Sequence, residues 1–341
     1  MDGHMWPIHG LSKAKRILWG PEQNQLSWAY MKMLREESRC AKVYNVNPYV
    51  EVYQFEDNLY GLFNQNCDGM GDVWEYLIVG PEKAMLIDTA FGIGDIKGLC
   101  DELSGGKELI VVNTHIGPDH AFGNVRFDRV YCHELEYDSI KKRINPHAWD
   151  YMFDEDGKNI WLQFDKKDLP AYREYELIAV SNHHIFNLGE DYDVELIWMP
   201  GHAAGHSVFL DKKRRRLFAG DCVCSDVMGV GSGGRPGDEK GIYCTLEAYR
   251  NELKKLCERL EEFDYIFPGH FMVYLENHVM RSILVTLEDI LKNPDDFTYK
   301  TEQIDKEGRR RIQYYKLVPG FSVISYNRER GVYMKSAEVV Q

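Results

Sequence analysis

The chain has 341 residues, with 41 Lys plus Arg against 54 Asp plus Glu and a formal net charge of −13. An acidic balance argues against a nucleic-acid partner, because binding to a phosphate backbone draws on clustered Lys and Arg. With 44% hydrophobic and 28% charged residues, the composition is that of a globular protein able to bury a sizeable core, and no run approaches the ~20 apolar residues of a membrane span.

Residues 1–45 read as a partly helical N-terminal appendage, with Leu26, Tyr30, Met31 and Leu34 on one face of Asn24–Arg39. Short strand-like runs follow at Val50–Phe55, Trp74–Gly80 and Ala84–Thr89, the last two joined by a turn at Gly80-Pro81-Glu82. Ile93–Leu103 reads as a helix, and Leu109–Thr114 as an apolar strand that stops at His115. The stretch from 133 to 185 is aromatic and charged without a clean period, and is taken as helical excursions. Val194–Met199 is a strand ending in Pro200-Gly201-His202. Ser207–Leu210 and Leu217–Gly220 form a hairpin ending at Asp221. Its basic turn, Lys212–Arg216, reads as solvated. Thr245–Phe263 has the clearest helical period, through Leu246, Tyr249, Leu253, Leu256, Leu260 and Phe263. Tyr265–Pro268 is a short strand ending at Gly269-His270, and 285–341 reads as a C-terminal extension of a catalytic domain spanning 46–284.

The eight cysteines are scattered, without the density of a disulfide scaffold. The first twenty residues lack the apolar stretch of a signal peptide. Reduced thiols and a cytoplasmic location are the expectations, with no membrane or nucleic-acid partner and homodimerisation left open.

One pattern recurs. Apolar strands end, and a His or Asp stands in the first loop residues: His115, His202, Asp221 and His270. Strand ends that converge on one sheet edge are where α/β proteins place their chemistry. Histidine and carboxylate ligands suit zinc, iron or manganese. Such a metal lowers the pKa of bound water to about 7, and two metals ~3.5–4 Å apart can share the resulting hydroxide.

From Trp74 to about His270 the chain resembles the metallo-β-lactamase-fold superfamily. Leu86-Ile87-Asp88-Thr89 resembles its first motif. Thr114-His115-Ile116-Gly117-Pro118-Asp119-His120 resembles its His-x-His-x-Asp-His loop, and Pro200-Gly201-His202-Ala203-Ala204-Gly205-His206-Ser207 its third motif. Gly220-Asp221 matches its Gly-Asp motif, and Phe267-Pro268-Gly269-His270 its last. The resemblance implies an α/β fold, a four-layer αββα sandwich. It also implies a binuclear site with ligands His115, Asp119, His120, His202, Asp221 and His270. Asp88, Thr114 and His206 would support these ligands from behind.

The departure is Gly117, where the family has its second loop His. Site one is left with His115, His202 and Asp221. Site two keeps Asp119, His120, His270 and Asp221. A two-His, one-carboxylate set still binds zinc, and it is also the facial triad of non-heme iron oxygenases. Site one should therefore be the weaker, and a His at position 117 should restore its ligand. His183 and His184 could replace it but read first as strand or loop residues, and Cys222 and Cys224, whose thiolates could reach a metal, read first as buried packing. In the glycine-rich segment 229–241, Arg235 could meet an anionic substrate group, and Tyr243 could donate to a developing oxyanion.

The resulting expectation is a hydrolase that uses zinc, one or two ions, with iron or manganese as alternatives. Its metal-bound hydroxide would attack a small-molecule ester, thioester or lactone, with Asp119 orienting it. Two rival readings are a mononuclear iron oxygenase acting on a thiol or persulfide, and a non-catalytic ligand-binding protein with a degenerate site.

Overall fold

The computed structural model describes residues 13, 15–16, 30–31, 33–37, 40–65, 71–234, 238–304 and 310–334. The chain divides into two compact units, Met1–Glu195 with Gly269–Phe271, and Leu196–Pro268 with Met272–Gln341.

The first unit is built on one eight-stranded sheet. Its strands are β1 (Ala41–Tyr44), β2 (Asn47–Glu56), β3 (Leu59–Asn64), β4 (Val73–Val79), β5 (Lys83–Ile87), β6 (Glu108–Val112), β7 (Arg129–His133) and β8 (Glu176–Val180), in the order β8-β7-β6-β5-β4-β3-β2-β1. Strands β1 to β5 form an antiparallel meander joined by short turns. From β5 onward the pairing turns parallel, because helices now cross between strands. Helix α1 (Ile96–Ser104) makes the first crossover. Asp95 caps its start by accepting from the Gly98 amide, and Gly105 ends it at a φ of 70°.

Ile96, Leu99 and Cys100 of α1 pack into a cluster with Leu77, Leu86 and Val111 of the sheet. A second cluster gathers Phe91, Phe122, Ile140, Trp149, Met152 and Phe164. It is built largely from the aromatic stretch after 133, where the helical expectation holds for α3 alone (Glu134–Arg143). Beyond α3 the chain to 175 is irregular, with three-residue helical turns. Its aromatic side chains are spaced to fill a core rather than to make a helical face. Strands β1, β3, β7 and β8 had no clear signal in the sequence. The Asn24–Arg39 helix expected from the sequence falls largely outside the described residues; Met33–Glu37 forms a single wide turn.

In the second unit, strands β9 (Ser207–Asp211), β10 (Arg216–Gly220) and β11 (Tyr265–Pro268) lie side by side, antiparallel and then parallel. Helix α4 (Leu246–Cys257) crosses between the last two, capped by Thr245 Oγ1 accepting from the Ala248 amide. It is shorter than the sequence period suggests, since Leu260–Glu262 closes as a separate turn. Helix α5 (Val279–Lys292) runs straight through residue 284, where the sequence suggested a boundary. The C-terminal strands Tyr299–Ile304, Arg310–Val318 and Ser322–Tyr326 form a four-stranded sheet with Val227–Met228. The turn after β9 also differs from expectation in one residue. Lys212–Arg215 are exposed, but Arg216 is fully buried and paired with buried Asp211 at 3.0 Å. Among the described residues no helix is long and apolar enough to cross a membrane.

Candidate metal centre

In the first unit, apolar β6 delivers the chain to Thr114, and helix α2 (Pro118–Ala121) starts four residues later with Gly117 at its N-cap and Pro118 in its first turn. This tight return puts His115, Asp119 and His120 on one loop. Gly117 is needed here for space. A Cβ on it would lie 2.7 Å from His115 Nε2, 2.8 Å from His120 Cδ2 and 2.9 Å from Asp119 Oδ1. The three side chains have closed over the position. A His at 117, expected from the sequence to restore a ligand, would first have to displace at least one of these side chains.

His120 is fixed at both ends. Its carbonyl accepts from the Thr89 amide at 2.8 Å, Thr89 Oγ1 at 3.2 Å and Asn113 Nδ2 at 3.1 Å. Its ring Nδ1 lies 2.7 Å from Asp88 Oδ2. Asp88 sits at a φ of 64°, an unusual conformation for a non-glycine residue, and its other oxygen accepts from the Thr114 amide at 2.7 Å. Thr114 Oγ1 donates to Asp88 Oδ2 at 2.8 Å and accepts from His115 Nδ1 at 3.0 Å. Burial pushes the Glu75 carboxyl well up. A hydrogen bond from Asn64 opposes this, and the charge of Asp88 adds to it.

His270 completes this half. It bridges to Val73, and its Nδ1 donates to the Asp72 carbonyl at 2.7 Å. His270 Nε2 lies 3.3 Å from His120 Nε2 and 3.3 Å from Asp119 Oδ2. Ligand atoms of Asp119, His120 and His270 all lie within 4.8 Å of one another, and all three residues are buried.

In the second unit, His202 Nδ1 donates to the Gly229 carbonyl at 2.9 Å, and His202 Nε2 stands 3.6 Å from Asp221 Oδ2. Buried His206 accepts at Nε2 from the Asp221 amide at 3.1 Å. His206 thus holds the carboxylate's backbone rather than joining a ligand set.

All four candidate histidines share one arrangement. Each commits Nδ1–H to an oxygen, of Thr114, Asp88, Gly229 or Asp72, and turns Nε2 away from it. That is the usual posture of a metal-ligating imidazole, with its second nitrogen fixed by an acceptor. Around Asp119 the consequence is sharp. With Nδ1 turned to an oxygen, His120 and His270 bring two Nε2 atoms together with a carboxylate oxygen of Asp119 in a buried space. Two imidazole nitrogens and a carboxylate oxygen are a donor set that fits a metal ion.

The remaining candidates separate clearly. His183 and His184 are exposed, with His183 paired to Glu195 at 2.7 Å. Cys222 and Cys224 are buried; burial pushes the Cys222 thiol well up, and it contacts the Ala219 carbonyl. Tyr243 packs edge-on to Trp198, and its carbonyl holds the Gly201 amide next to His202. Arg235 lies outside the described residues. Asp72 and Gly229 were missed because they act through main-chain carbonyls, which leave no residue-type signal. Glu136 was also missed. Its buried carboxylate accepts from the Ile116 amide at 3.0 Å and anchors the loop between His115 and Gly117.

The family model of the metallo-beta-lactamase superfamily matches residues 69–296. The chain belongs to the metallo-beta-lactamase superfamily. A metallo-beta-lactamase from Pontibacter korlensis superposes with a TM-score of 0.50 at 15% identity, over 70% of this chain and 99% of that one. The α/β fold expected of the superfamily is therefore the fold of this chain. Among curated relatives, the acyl-coenzyme A thioesterase MBLAC2 of Homo sapiens is 24% identical over 231 residues, 62% of this chain and 76% of the relative. The Gallus gallus protein of the same name is 24% identical over 220 residues, 60% of this chain and 73% of the relative. These likenesses agree with the expectation of a hydrolase acting on ester-type bonds.

Proposed function

We propose that this member of the metallo-beta-lactamase superfamily is a metal-dependent thioesterase, acting on a small acyl thioester such as an acyl-coenzyme A. The observation that supports it most is the convergence of Asp119 Oδ2, His120 Nε2 and His270 Nε2, with both Nδ1 atoms already committed. The likeness to acyl-coenzyme A thioesterases favours a thioester over the other ester-type bonds.

Asp119, His120 and His270 would hold one metal, zinc in the first instance, with His115, His202 and Asp221 the further candidate ligands. Bound there, the metal lowers the pKa of water and polarises a carbonyl oxygen. The chain's own part is positional. Asp88 and the Asp72 carbonyl fix the two imidazoles. Asp119 presents Oδ2 to the histidines, while Oδ1 lies over Gly117 and can take the proton of an attacking water. That water adds to the thioester carbonyl carbon, the carbon–sulfur bond breaks, and the thiolate leaves with its electron pair and is protonated. The products are a carboxylic acid and a thiol. Buried apolar walls around Phe122 and Trp149 keep the loop dry from behind, which strengthens each charge interaction within it.

The test pairs elemental analysis of protein purified without added metal with a screen of acyl-coenzyme A, ester and lactone substrates, reading thiol release. Metal-dependent hydrolysis of a thioester, lost in His270→Ala together with the metal, is the expected result. A fully metallated protein that turns over none of these substrates refutes the reading.

A further inference from the structure

The segment before the family match touches the support of His270. Arg35 lies outside residues 69–296, yet its guanidinium grips buried Glu51 in a bidentate pair, Nε–Oε2 at 2.9 Å and Nη2–Oε1 at 2.6 Å. Tyr53 donates to the same carboxylate at 3.0 Å, and the guanidinium lies over the Phe63 ring, 4.7 Å from its centroid. Held by this fork and ring, Arg35 turns its third nitrogen, Nη1, toward Asp72, 4.0 Å from Oδ2. Asp72 is the residue whose carbonyl accepts from His270 Nδ1 at 2.7 Å. Gly71 just before it has a φ of 145°, and a Cβ there would stand 3.5 Å from His270 Nδ1. The backbone thus passes directly against the imidazole, so a small shift at residue 72 changes the direction in which Nε2 points.

We infer that Arg35 is a positioning residue for His270, acting through Asp72, and that the N-terminal segment is a working part of the metal centre. The inference rests on the metal reading proposed above. A bidentate, stacked arginine is rigid in a way that lysine is not, because the planar fork fixes all three nitrogens at once. Glu51 and Phe63 set the fork, and the fork sets the charge facing Asp72. Partners one step removed from a metal commonly change its affinity 10–100-fold when altered.

The measurement is metal affinity, by competition of Co2+ or Zn2+ with a chromophoric chelator, alongside the visible Co2+ spectrum and thermal unfolding of the metal-free protein. Asp72→Asn keeps the carbonyl and removes the charge that meets Arg35. The double variant Arg35→Met/Glu51→Gln removes the buried pair as a unit, avoiding an unpaired Glu51 charge. Both are expected to lose affinity about tenfold or more and to shift the Co2+ band, while the metal-free proteins melt near wild type. Arg35→Lys is expected to recover little. Wild-type affinity and an unshifted band in Asp72→Asn refute the role of Arg35. Affinity lost only in step with unfolding of the metal-free protein refutes it as well, because a general stabiliser leaves the spectrum of the folded fraction unchanged. A wild-type protein that binds no Co2+ or Zn2+ refutes the metal reading itself, and is read from the first sample.

Discussion

At the scale of single residues, space and charge decide more than residue type. Gly117 is surrounded by the three side chains of its own loop, so Gly117→Ala is expected to loosen the metal rather than leave it unchanged. A methyl group under 3 Å from His115, His120 and Asp119 must push at least one away. Chelator competition checks this. An alanine variant with wild-type affinity shows that the loop relaxes freely. Asp226 illustrates charge. Its side chain is buried, Oδ1 has no hydrogen-bond partner among the described residues, and burial pushes its carboxyl from 3.8 to about 7. The folded state therefore keeps a proton that the unfolded chain has already released. Stability is full below the unfolded pKa, falls as pH rises from there to about 7, and is flat above. Asp226→Asn should match wild type near pH ~3 and melt higher than wild type above pH ~8. Parallel melting curves of the two proteins across that range would show that Asp226 is ionised without penalty.

At the scale of elements, the hairpin β9–β10 carries its own buried ion pair. Asp211 and Arg216 face each other across the strands, both fully buried. Such a pair contributes little against an apolar isostere, but breaking it leaves one charge stranded in the interior. Asp211→Ala is expected to destabilise by about 3–5 kcal/mol. Asp211→Leu/Arg216→Met should recover most of that, as urea denaturation can measure. A double variant as unstable as the single would mean that the pair's hydrogen bonds, not its uncompensated charge, set the cost. The sequence pointed to a basic turn here and was right for Lys212–Arg215. It could not mark Arg216, because strand register alone turns that side chain inward.

At the scale of the whole molecule, a buried cluster of imidazoles and a carboxylate that holds a metal, as proposed above, would couple metal to folding. A ligand that binds only the folded protein stabilises it by mass action, about 2.7 kcal/mol at a free concentration of 100 times its dissociation constant. Stripping the metal with a strong chelator is therefore expected to lower Tm by several degrees, with recovery on adding Zn2+ or Co2+. An unchanged Tm would mean that the donors are held by protons instead. The C-terminal strands belong to the same account. Val227–Met228, six residues after Asp221, pairs with Ser322–Tyr326, so the last third of the chain is woven into the second unit.

What the sequence determined by itself was local. Helical runs at Ile93–Leu103 and, by its period, Thr245–Phe263 marked α1 and α4, and apolar runs that end in His or Asp marked β6, β10 and β11 with their loop residues, because neighbouring residues fix those signals. The candidate ligand motifs were legible for the same reason, since each lies on one short loop. What only the tertiary structure decided was distant or carried by backbone. Asp72 and Gly229 hold imidazoles through carbonyl groups that every residue possesses, and Arg35 meets Glu51 and Asp72 across 16 and 37 positions. The irregular stretch from 144 to 175 is ordered by burying aromatic rings in a shared core, an energy that no local period encodes.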